Sequence, residues 1–424
     1  MSRTPITRRR FAALAGAALG TLYAPRAIGQ TKPRLVVVGG GPAGAMLARQ
    51  AHKDSRGALD VTLIEQSRLY TTCFFSNLYL GGFRTFTSIT HNYDKIQRSG
   101  VRVVHARAER IDREKKEVWL AGRERVAYDA LAIAPGIDFK FDAVPGYSEA
   151  AIEAMPHAWK AGAQTRLLAQ RLNALRNGDV IVIVAPPNPY RCPPAPYERA
   201  SIFAHVLAKK GHKRSKIIII DQKPSFSKQT LFMEGWEKHY PGVIEWQDPQ
   251  VHGGLEGVVP RTGEVKTSLA TYRAALVNVI PPQTAGRLAI EAGLADDTGF
   301  CPIDPATMKS TIDSAIFVLG DGAIAGDMPK SAVAANSQAK VAAAVVRADL
   351  LGARNFPARY FSTCWSVIAA DDAVKLGGTY EPGDGKIKQV TSFISQPGES
   401  DDLREENFEE ADDWYAGFVG EIFG

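Results

Sequence analysis

The chain has 424 residues, of which 45% are hydrophobic and 23% charged, a composition typical of a globular protein with two or three domains. The formal net charge is +6, but five arginines and no acidic residue lie before residue 30, so the rest of the chain carries 6 − 5 = +1. This near balance argues against the basic surface that nucleic-acid binding requires, and we expect no nucleic acid among the partners.

The first 29 residues predict an export signal. A twin-arginine pattern at Thr7–Phe11 precedes an apolar run that ends at Ala24, and small residues follow at Ala27 and Gly29. The run is shorter than the ~20 residues of a membrane span, which disfavours the alternatives of an N-terminal anchor or a basic tail. We expect residues 1–29 to direct a folded, cofactor-loaded protein to the periplasm, and we expect no membrane span in the remaining chain.

A dinucleotide-binding unit is predicted directly after this signal. Arg34–Gly39 is typical of a buried parallel strand, an Ala-rich helix runs to about His52, and Asp60–Glu65 predicts the next strand. The turn between them has the G-x-G-x-x-G spacing at Gly39, Gly41 and Gly44. Such glycines allow a tight turn and the close approach of a pyrophosphate, and Glu65 is placed to bind ribose hydroxyls. A glycine-rich turn without a ligand is the alternative.

The second βαβ unit departs from this pattern. Asp179–Val184 and Lys216–Asp221 predict its strands, but the turn after the first of them, Ala185–Pro189, has prolines in place of glycines. Proline has no N–H to donate, and the glycines that admit a pyrophosphate are missing. We therefore expect that this unit does not bind NAD(P)H and that the electrons come from another donor.

Later segments predict a return to the first unit and a separate C-terminal part. Tyr128–Gly136 and Phe317–Asp321 resemble segments of flavoproteins with two dinucleotide folds, in which the aspartate, here Asp321, binds the ribityl or pyrophosphate region of FAD. An Ala-rich helix is expected at Ser331–Leu351. The acidic stretch Glu399–Asp413 is expected to begin a terminal helix, whose acidic and aromatic residues are expected to present a docking surface for a partner.

Three of the four cysteines lie in segments that resemble a known family. The segments are Tyr70–Asn77, Arg191–Ser201, Met328–Ser331 with Ala335–Gln338, and Ser362–Ser366. They are similar to the flavoprotein subunit of flavocytochrome c sulfide dehydrogenase, and the resemblance covers essentially the whole chain after the signal, although it is weakest between about 370 and 412. It implies an α/β fold with two Rossmann-like dinucleotide-binding domains, as in glutathione reductase, and a C-terminal interface domain.

The resemblance also implies the order of the domains. An FAD-binding domain is expected in two parts, at residues 30–145 and 283–355. A second dinucleotide-fold domain that lacks the NAD motif is expected at 146–282, and the interface domain at 356–424.

The family resemblance implies roles for three cysteines. Cys73 is expected to hold FAD covalently, through a thioether to the flavin 8α-methyl carbon, and Cys192 and Cys364 are expected to form a redox-active disulfide beside the flavin. Cys301 has no implied role and is expected to be a small buried side chain. A plain core thiol at Cys73 and a merely structural bridge between Cys192 and Cys364 stay open, since disulfides of exported proteins are commonly structural.

Two charged residues carry less specific predictions. Glu198 is either a base or electrostatic partner near Cys192, or an acid in the first turn of a helix, where it favours the macrodipole. A helix start at Pro329–Ser331 is expected to aim backbone N–H groups, and with them the Lys330 charge, at the pyrimidine edge of the flavin, where negative charge develops on reduction. A solvated lysine is the alternative.

The function that the resemblance implies is sulfide oxidation. Hydrosulfide would attack the disulfide, leaving a persulfide on one sulfur and a thiolate on the other, and zero-valent or polysulfide sulfur would leave. Electrons would pass through FAD to a c-type cytochrome subunit in a heterodimer or larger complex. The haem would lie on that subunit, because this chain has no Cys-x-x-Cys-His motif, and the chain has no zinc-type cysteine pair either. We expect no metal or haem on the chain. A sulfide:quinone oxidoreductase and an exported flavin electron-transfer subunit without substrate chemistry of its own are the alternatives.

Overall fold

The first sheet of the molecule has five parallel strands and contains the predicted dinucleotide unit. A computed structural model describes residues 31–424, and the predicted export signal lies outside the described residues. In spatial order the strands are Ile316–Val318, Ala130–Ile133, Arg34–Val38, Asp60–Ile64 and Arg102–Val104. The helices Pro42–Asp54 and Ala332–Leu351 pack against each other, and their alanines are buried in the same core as the strands. The strand Ile316–Val318 therefore brings a late segment of the chain back to the first unit.

The second sheet has four parallel strands. In spatial order they are Ile244–Gln247, Lys216–Asp221, Val180–Ala185 and Leu276–Val279. The larger helices of this unit are Ala163–Ala174, Ala195–Lys209 and Gln229–His239. Branched aliphatic side chains such as Ile181 and Ile183 are completely buried, which explains the unbroken apolar runs of these strands. An antiparallel sheet of Leu255–Val259, Glu264–Thr267 and Thr271–Arg273 is inserted before the last strand.

Short elements connect these sheets. The paired strands are Leu69–Thr71 with Thr90–Asn92, Ala108–Asp112 with Glu117–Leu120 and Arg125–Ala127, Ile137–Phe139 with Gln283–Ala285, and Cys301–Pro302 with Ala323–Ile324. The short helices are Ser76–Gly81, Asp94–Arg98, Pro249–His252 and Arg287–Glu291, and 3₁₀ turns occur at Thr87–Ile89, Phe141–Ala143, Glu149–Glu153 and Gly320–Gly322. Residues from Pro33 to Gly424 form one compact unit, so the predicted domain limits stay predictions.

The C-terminal part is an antiparallel sheet followed by a long helix. The strands are Tyr360–Ala369, Asp372–Gly383 and Lys386–Ile394, and the terminal helix is Asp401–Phe423. Ser400 caps this helix, since its Oγ accepts a hydrogen bond from Leu403 N at 3.3 Å, and two aspartates in the first turn favour the macrodipole. The expected terminal helix is therefore present.

The aromatic residues of the terminal helix face the interior. Tyr415 and Phe418 are buried, with Tyr415 stacked on Phe75 at a centroid distance of 4.4 Å and Phe418 edge-on to Phe74 at 5.4 Å. The prediction that these aromatics present a docking surface is wrong, because their apolar area fills the core beside the first unit. Within residues 31–424, no helix combines the length and apolarity that crossing a bilayer requires.

Candidate active site

A long cavity of about 1000 Å³ lies at the carboxyl edge of the first sheet. Its walls include the turn at Gly39–Ala43, Glu65, the turn at Pro135–Asp138, Asp321 and the start of the helix Ala332–Leu351. Open α/β sheets bind ligands at this edge, outside the carboxyl ends of the strands. Of the predicted cofactor residues of the first unit, Gly39, Gly41 and Glu65 thus lie around one cavity, whereas Gly44 does not line it.

The three glycines of the first turn have different reasons to be glycine. Gly39 has φ +100°, and a Cβ added there would lie 2.4 Å from Ala134 O. A Cβ on Gly44 would lie 1.9 Å from Gly39 O, so the helix can pack this closely only without a side chain. At Gly41 a Cβ would meet no atom closer than 3.6 Å. An added Cβ would make an ordinary contact with the Tyr70 ring and clash with nothing in the protein, so the glycine is best explained by a group that approaches the backbone from the cavity.

Two carboxylates of the long cavity fit a dinucleotide with hydroxyl groups. Glu65 Oε2 accepts a hydrogen bond from Gly40 N at 2.7 Å, which fixes the carboxylate at the end of its strand. Asp321 Oδ2 lies 3.5 Å from Arg191 Nη1, whereas Asp321 Oδ1 is buried and has no hydrogen-bond partner in the described part of the chain. A buried carboxylate oxygen is costly when it is unpaired, so it calls for a donor from a bound group. The residues present therefore fit FAD.

A second, small cavity of about 90 Å³ lies against the long one. The two cavities have four lining residues in common, namely Cys73, Arg191, Ser331 and Ala332. Cys192, Glu198 and Cys364 line only the small cavity, together with aromatic residues that include Trp365 and Trp414. Trp365 and Trp414 stack at a centroid distance of 5.2 Å and give this cavity an apolar wall.

Cys192 and Cys364 come from different parts of the fold and meet at the small cavity. Cys192 has φ 57°, directly before the helix Ala195–Lys209, and its N–H donates to Lys330 O at 2.8 Å. Cys364 lies in the strand Tyr360–Ala369. Interaction between the two thiols lowers the pKa of Cys364 and raises that of Cys192. All four cysteines, which lie within the described residues, are free thiols, so the disulfide stays a prediction.

Glu198 lies in the first turn of its helix and also lines the small cavity. Its Oε2 accepts from Asn77 Nδ2 at 2.7 Å, and its Oε1 accepts from Val367 N at 3.0 Å. Burial raises the pKa of this carboxyl above the ordinary value of a glutamate. Both interpretations of Glu198, as a base near Cys192 and as a helix-turn acid, are compatible with this position.

Comparisons with protein families point to one group of enzymes. Residues 165–281 match the family model described as sulfide dehydrogenase [flavocytochrome c] flavoprotein chain, central. Residues 357–423 match that described as flavocytochrome c sulphide dehydrogenase, flavin-binding, and residues 33–183 match pyridine nucleotide-disulphide oxidoreductase. The central and C-terminal parts of the chain are thus those of a flavocytochrome c sulfide dehydrogenase flavoprotein by similarity. The chain is a flavoprotein oxidoreductase of a sulfide-oxidising family, and its flavin-binding domains support FAD as the cofactor.

Solved structures with the same fold are distant in sequence. The sulfide:quinone oxidoreductase from the hyperthermophilic bacterium Aquifex aeolicus is 16% identical, with a TM-score of 0.74 and 92% of both chains covered. An NAD-dependent persulfide reductase from A. fulgidus is 15% identical, with a TM-score of 0.61 over 89% of this chain and 77% of that one. A ferredoxin reductase from Rhodopseudomonas palustris is 19% identical, with a TM-score of 0.62 over 81% and 82%. These similarities establish the flavoprotein fold.

The side chain of Lys330 does not point into either cavity. Its ammonium donates to Asp321 O at 2.8 Å and to Ala323 O at 2.7 Å, and it lies 4.0 Å from the centroid of the Phe300 ring. The side chain lines neither cavity, because these carbonyls hold the charge inside the fold. The backbone of the predicted helix start does face the long cavity, at Ser331 and Ala332.

Lys228 is a site residue that the sequence analysis missed. It is 6% exposed, and its ammonium donates to Cys364 O at 2.8 Å and to Ser366 Oγ at 3.0 Å. A lone lysine in a loop between a strand and a helix gives no sequence signal for such a position. The family motifs do not include it, and only the fold brings it to Cys364.

The second unit fills the position of a nucleotide-binding acid with its own side chains. Asp221 ends the strand Lys216–Asp221 and is completely buried. Its Oδ1 accepts from Lys223 Nζ at 2.5 Å, and its Oδ2 accepts from Tyr197 OH at 2.5 Å and Trp246 Nε1 at 2.9 Å. Lys223 Nζ also donates to Pro186 O at 2.7 Å, in the proline-rich turn. The carboxylate has internal partners at both oxygens, in agreement with a unit that does not bind NAD(P)H.

Proposed function

We propose that this chain oxidises hydrosulfide at the Cys192–Cys364 pair and passes the electrons through FAD to a c-type cytochrome subunit in the periplasm. One observation carries the proposal: Cys192 and Cys364 line the same small cavity of about 90 Å³, and this cavity shares a wall with the FAD-sized cavity. Two cysteines brought together in so small a space suit a disulfide, and the shared wall gives electrons a short route between the cavities. The periplasmic location is supported by the twin-arginine pattern at Thr7–Phe11.

The reaction begins with the pair as a disulfide. Hydrosulfide forms a bond to one cysteine sulfur, the S–S bond breaks, and its electron pair stays on the other cysteine as a thiolate. The persulfide and the thiolate then lose two electrons and one proton, and the disulfide closes again. The added sulfur leaves as zero-valent sulfur or, bonded to a second hydrosulfide, as polysulfide. In sum, HS⁻ loses two electrons and one proton. Bound FAD supplies the acceptor for the electron pair and returns the electrons singly.

The residues around the pair suit this chemistry. Glu198 borders the small cavity, and its raised pKa suits a group that takes up and gives back the proton of hydrosulfide. Arg191 supplies a positive charge at the wall between the two cavities, where it attracts an anion. The stacked Trp365 and Trp414 limit the water around the sulfurs, which favours transfer to FAD over side reactions.

Cys73 is the proposed covalent anchor of FAD. Of the four cysteines, all of them in the described residues, it is the one that lines both cavities. Cys301 is completely buried, and burial raises the pKa of its thiol to about 12, which suits an inert core side chain.

A cytochrome is preferred to a quinone as the electron acceptor. A quinone site would need an apolar surface at a membrane, whereas the terminal helix begins with acidic residues and turns its aromatic residues inward. The chain has no haem-attachment motif of its own, so the haem must lie on a partner subunit.

The Cys192→Ala variant tests the proposal. We expect it to fold and keep its FAD, to lose reduction of the flavin by sulfide by at least about 10³-fold because the first bond cannot form, and to be reduced normally by dithionite. Cys301→Ala is the matched control and should be reduced by sulfide at the wild-type rate. In the wild type, ferric cytochrome c should then reoxidise the flavin faster than a short-chain quinone does. Near wild-type reduction of Cys192→Ala by sulfide would make the pair structural.

A further inference from the structure

A buried lysine approaches the cysteine pair from the second unit. Lys228 lies in the loop between the strand Lys216–Asp221 and the helix Gln229–His239, with φ 63°. Its side chain reaches the C-terminal sheet, where Nζ donates to Cys364 O at 2.8 Å, Ser366 Oγ at 3.0 Å and Val374 O at 3.2 Å. The three acceptors fix the ammonium beside Cys364.

All three of these acceptors are neutral. Within residues 31–424 the Lys228 ammonium forms no ion pair with a carboxylate, although a buried charge is costly without a counter-charge. The ionisable groups that face it are Cys364 and Cys192, Glu198 from the neighbouring helix, and Arg404 from the terminal helix. Arg404 is a second cation, already paired with Asp372 at 2.6 Å.

Among these groups, Cys364 is the best placed counter-charge. Both oxygens of Glu198 already accept hydrogen bonds, from Asn77 and from the backbone of Val367. Lys228 Nζ is hydrogen-bonded to the backbone of Cys364 itself, and interaction between the two thiols lowers the pKa of Cys364 and raises that of Cys192, so negative charge is favoured on Cys364 over Cys192. A thiolate on Cys364 would compensate the buried ammonium.

We propose that Lys228 is a positioning residue that makes Cys364 the leaving thiolate, so that hydrosulfide attacks Cys192. The inference rests on the proposed function. Hydrosulfide bonds to Cys192 Sγ and keeps its proton on the outer sulfur of the persulfide. The Cys192–Cys364 bond breaks, and its electron pair goes to Cys364 Sγ. The thiol of lower pKa leaves faster in such an exchange, so a charge that stabilises one thiolate also selects which sulfur is attacked.

The pH dependence of alkylation tests this directly. The holoprotein is reduced, freed of reductant and treated with iodoacetamide at a series of pH values, and the Cys364 peptide is quantified by mass spectrometry. A thiolate forms above its pKa, so we expect the wild-type midpoint below the ordinary thiol value of about 8.5. Lys228→Gln removes the charge and should move the midpoint up by about 1–3 pH units, whereas Lys228→Arg keeps the charge and should restore most of the shift.

Lys375→Gln is the matched control. Lys375 lies on the neighbouring strand opposite Trp365 and is paired with Glu410 at 2.6 Å, so the substitution removes a charge from the same sheet but not from Cys364. Its midpoint should equal that of the wild type. Equal midpoints in Lys228→Gln and the wild type, or equal shifts in Lys228→Gln and Lys228→Arg, would overturn the proposal.

A measurement on the wild type needs no variant. When sulfide is mixed with the oxidised protein and alkylation traps the product of the first step, before the disulfide closes again, the added sulfur should be found on the Cys192 peptide, and its presence on the Cys364 peptide would contradict the assigned direction of attack. The proposed function and the role of Lys228 can be contradicted independently of each other. If sulfide does not reduce the wild-type flavin while the Cys364 midpoint still depends on Lys228, the proposed function fails and the electrostatic role of Lys228 stands.

Discussion

Cys73 illustrates how a single side chain is held at a shared cavity wall. On one side Thr72 Oγ1 is 3.0 Å from Tyr415 OH, which ties the turn to the terminal helix. On the other side Ser76 Oγ donates to Cys73 O at 2.6 Å, and Phe75 adopts a left-handed conformation with φ 68°. The backbone of Cys73 is therefore fixed from both directions, which suits the proposed role of this residue as a covalent anchor.

We predict that the wild-type flavin stays with the protein after acid precipitation and that Cys73→Ser releases it. The thioether resists acid, whereas a flavin bound only by hydrogen bonds leaves when the fold is lost. Absorbance of the supernatant and the mass of the intact chain measure the outcome. Cys301→Ser is the control, because it removes another buried thiol and should leave the flavin attached. A yellow supernatant from the wild type would rule out the covalent link.

The site shows which residues a sequence can reveal. Glycines and cysteines in specific motifs were predictable because backbone geometry or sulfur chemistry restricts those positions to one residue type. Lys228 was not, since its position depends on the packing of a loop against a strand about 140 residues later. The contacts of Lys330 were not predictable either, because its ammonium is held by the backbone carbonyls of Asp321 and Ala323.

At the scale of elements, one buried carboxylate joins three of them. Asp372 begins the strand Asp372–Gly383, and its Oδ1 accepts from Arg404 of the terminal helix at 2.6 Å. Its Oδ2 lies 2.7 Å from His239 Nε2, at the end of the helix Gln229–His239. Asp372 and Arg404 are each 3% exposed, so neither charge has water as an alternative partner. The cluster connects the second unit with both C-terminal elements.

We predict that Arg404→Ala lowers the free energy of unfolding by about 3–5 kcal/mol, because it leaves a buried carboxylate without its partner. Arg359→Ala is the control. Arg359 pairs with Glu381 at 3.3 Å on an exposed part of the same sheet, and losing such a pair should cost no more than about 1 kcal/mol. Chemical denaturation of the two holoproteins gives the comparison. Equal losses would show that the buried cluster adds no more than a surface pair.

Elements with a strong local pattern were predictable, and those defined by distant pairing were not. Asp60–Glu65 was predicted as a strand and is one from Asp60 to Ile64, since its apolar run is buried within a parallel sheet. Ile137–Phe139 forms a strand only because it pairs with Gln283–Ala285, far along the chain. The terminal helix was predicted from its acidic start, but its aromatic residues were expected at the surface. The sequence does not show that these residues pack against an earlier part of the chain.

At the scale of the whole molecule, the two βαβ units have the same strand order but different ligand capacity. The first has a large cavity beside Gly41, and one oxygen of Asp321 has no partner within the described chain. It can therefore hold a ligand that donates a hydrogen bond to this oxygen. The second closes the corresponding region with the Asp221–Lys223 pair. In the proposed mechanism one unit thus binds the cofactor, while the other supplies Cys192 and Lys228 to the chemistry.

This division predicts that neither NADH nor NADPH reduces the flavin. To bind, a nucleotide would have to displace Lys223 from Asp221 and Pro186 and break the hydrogen bonds of Tyr197 and Trp246 to the same carboxylate. Each buried bond to a charged group is worth about 1.5–3 kcal/mol, and the prolines offer no N–H in return. We expect no bleaching of the flavin within minutes by an excess of either nucleotide under anaerobic conditions, in samples that dithionite bleaches completely. Rapid bleaching by NADH would show that the second unit still accepts a nucleotide.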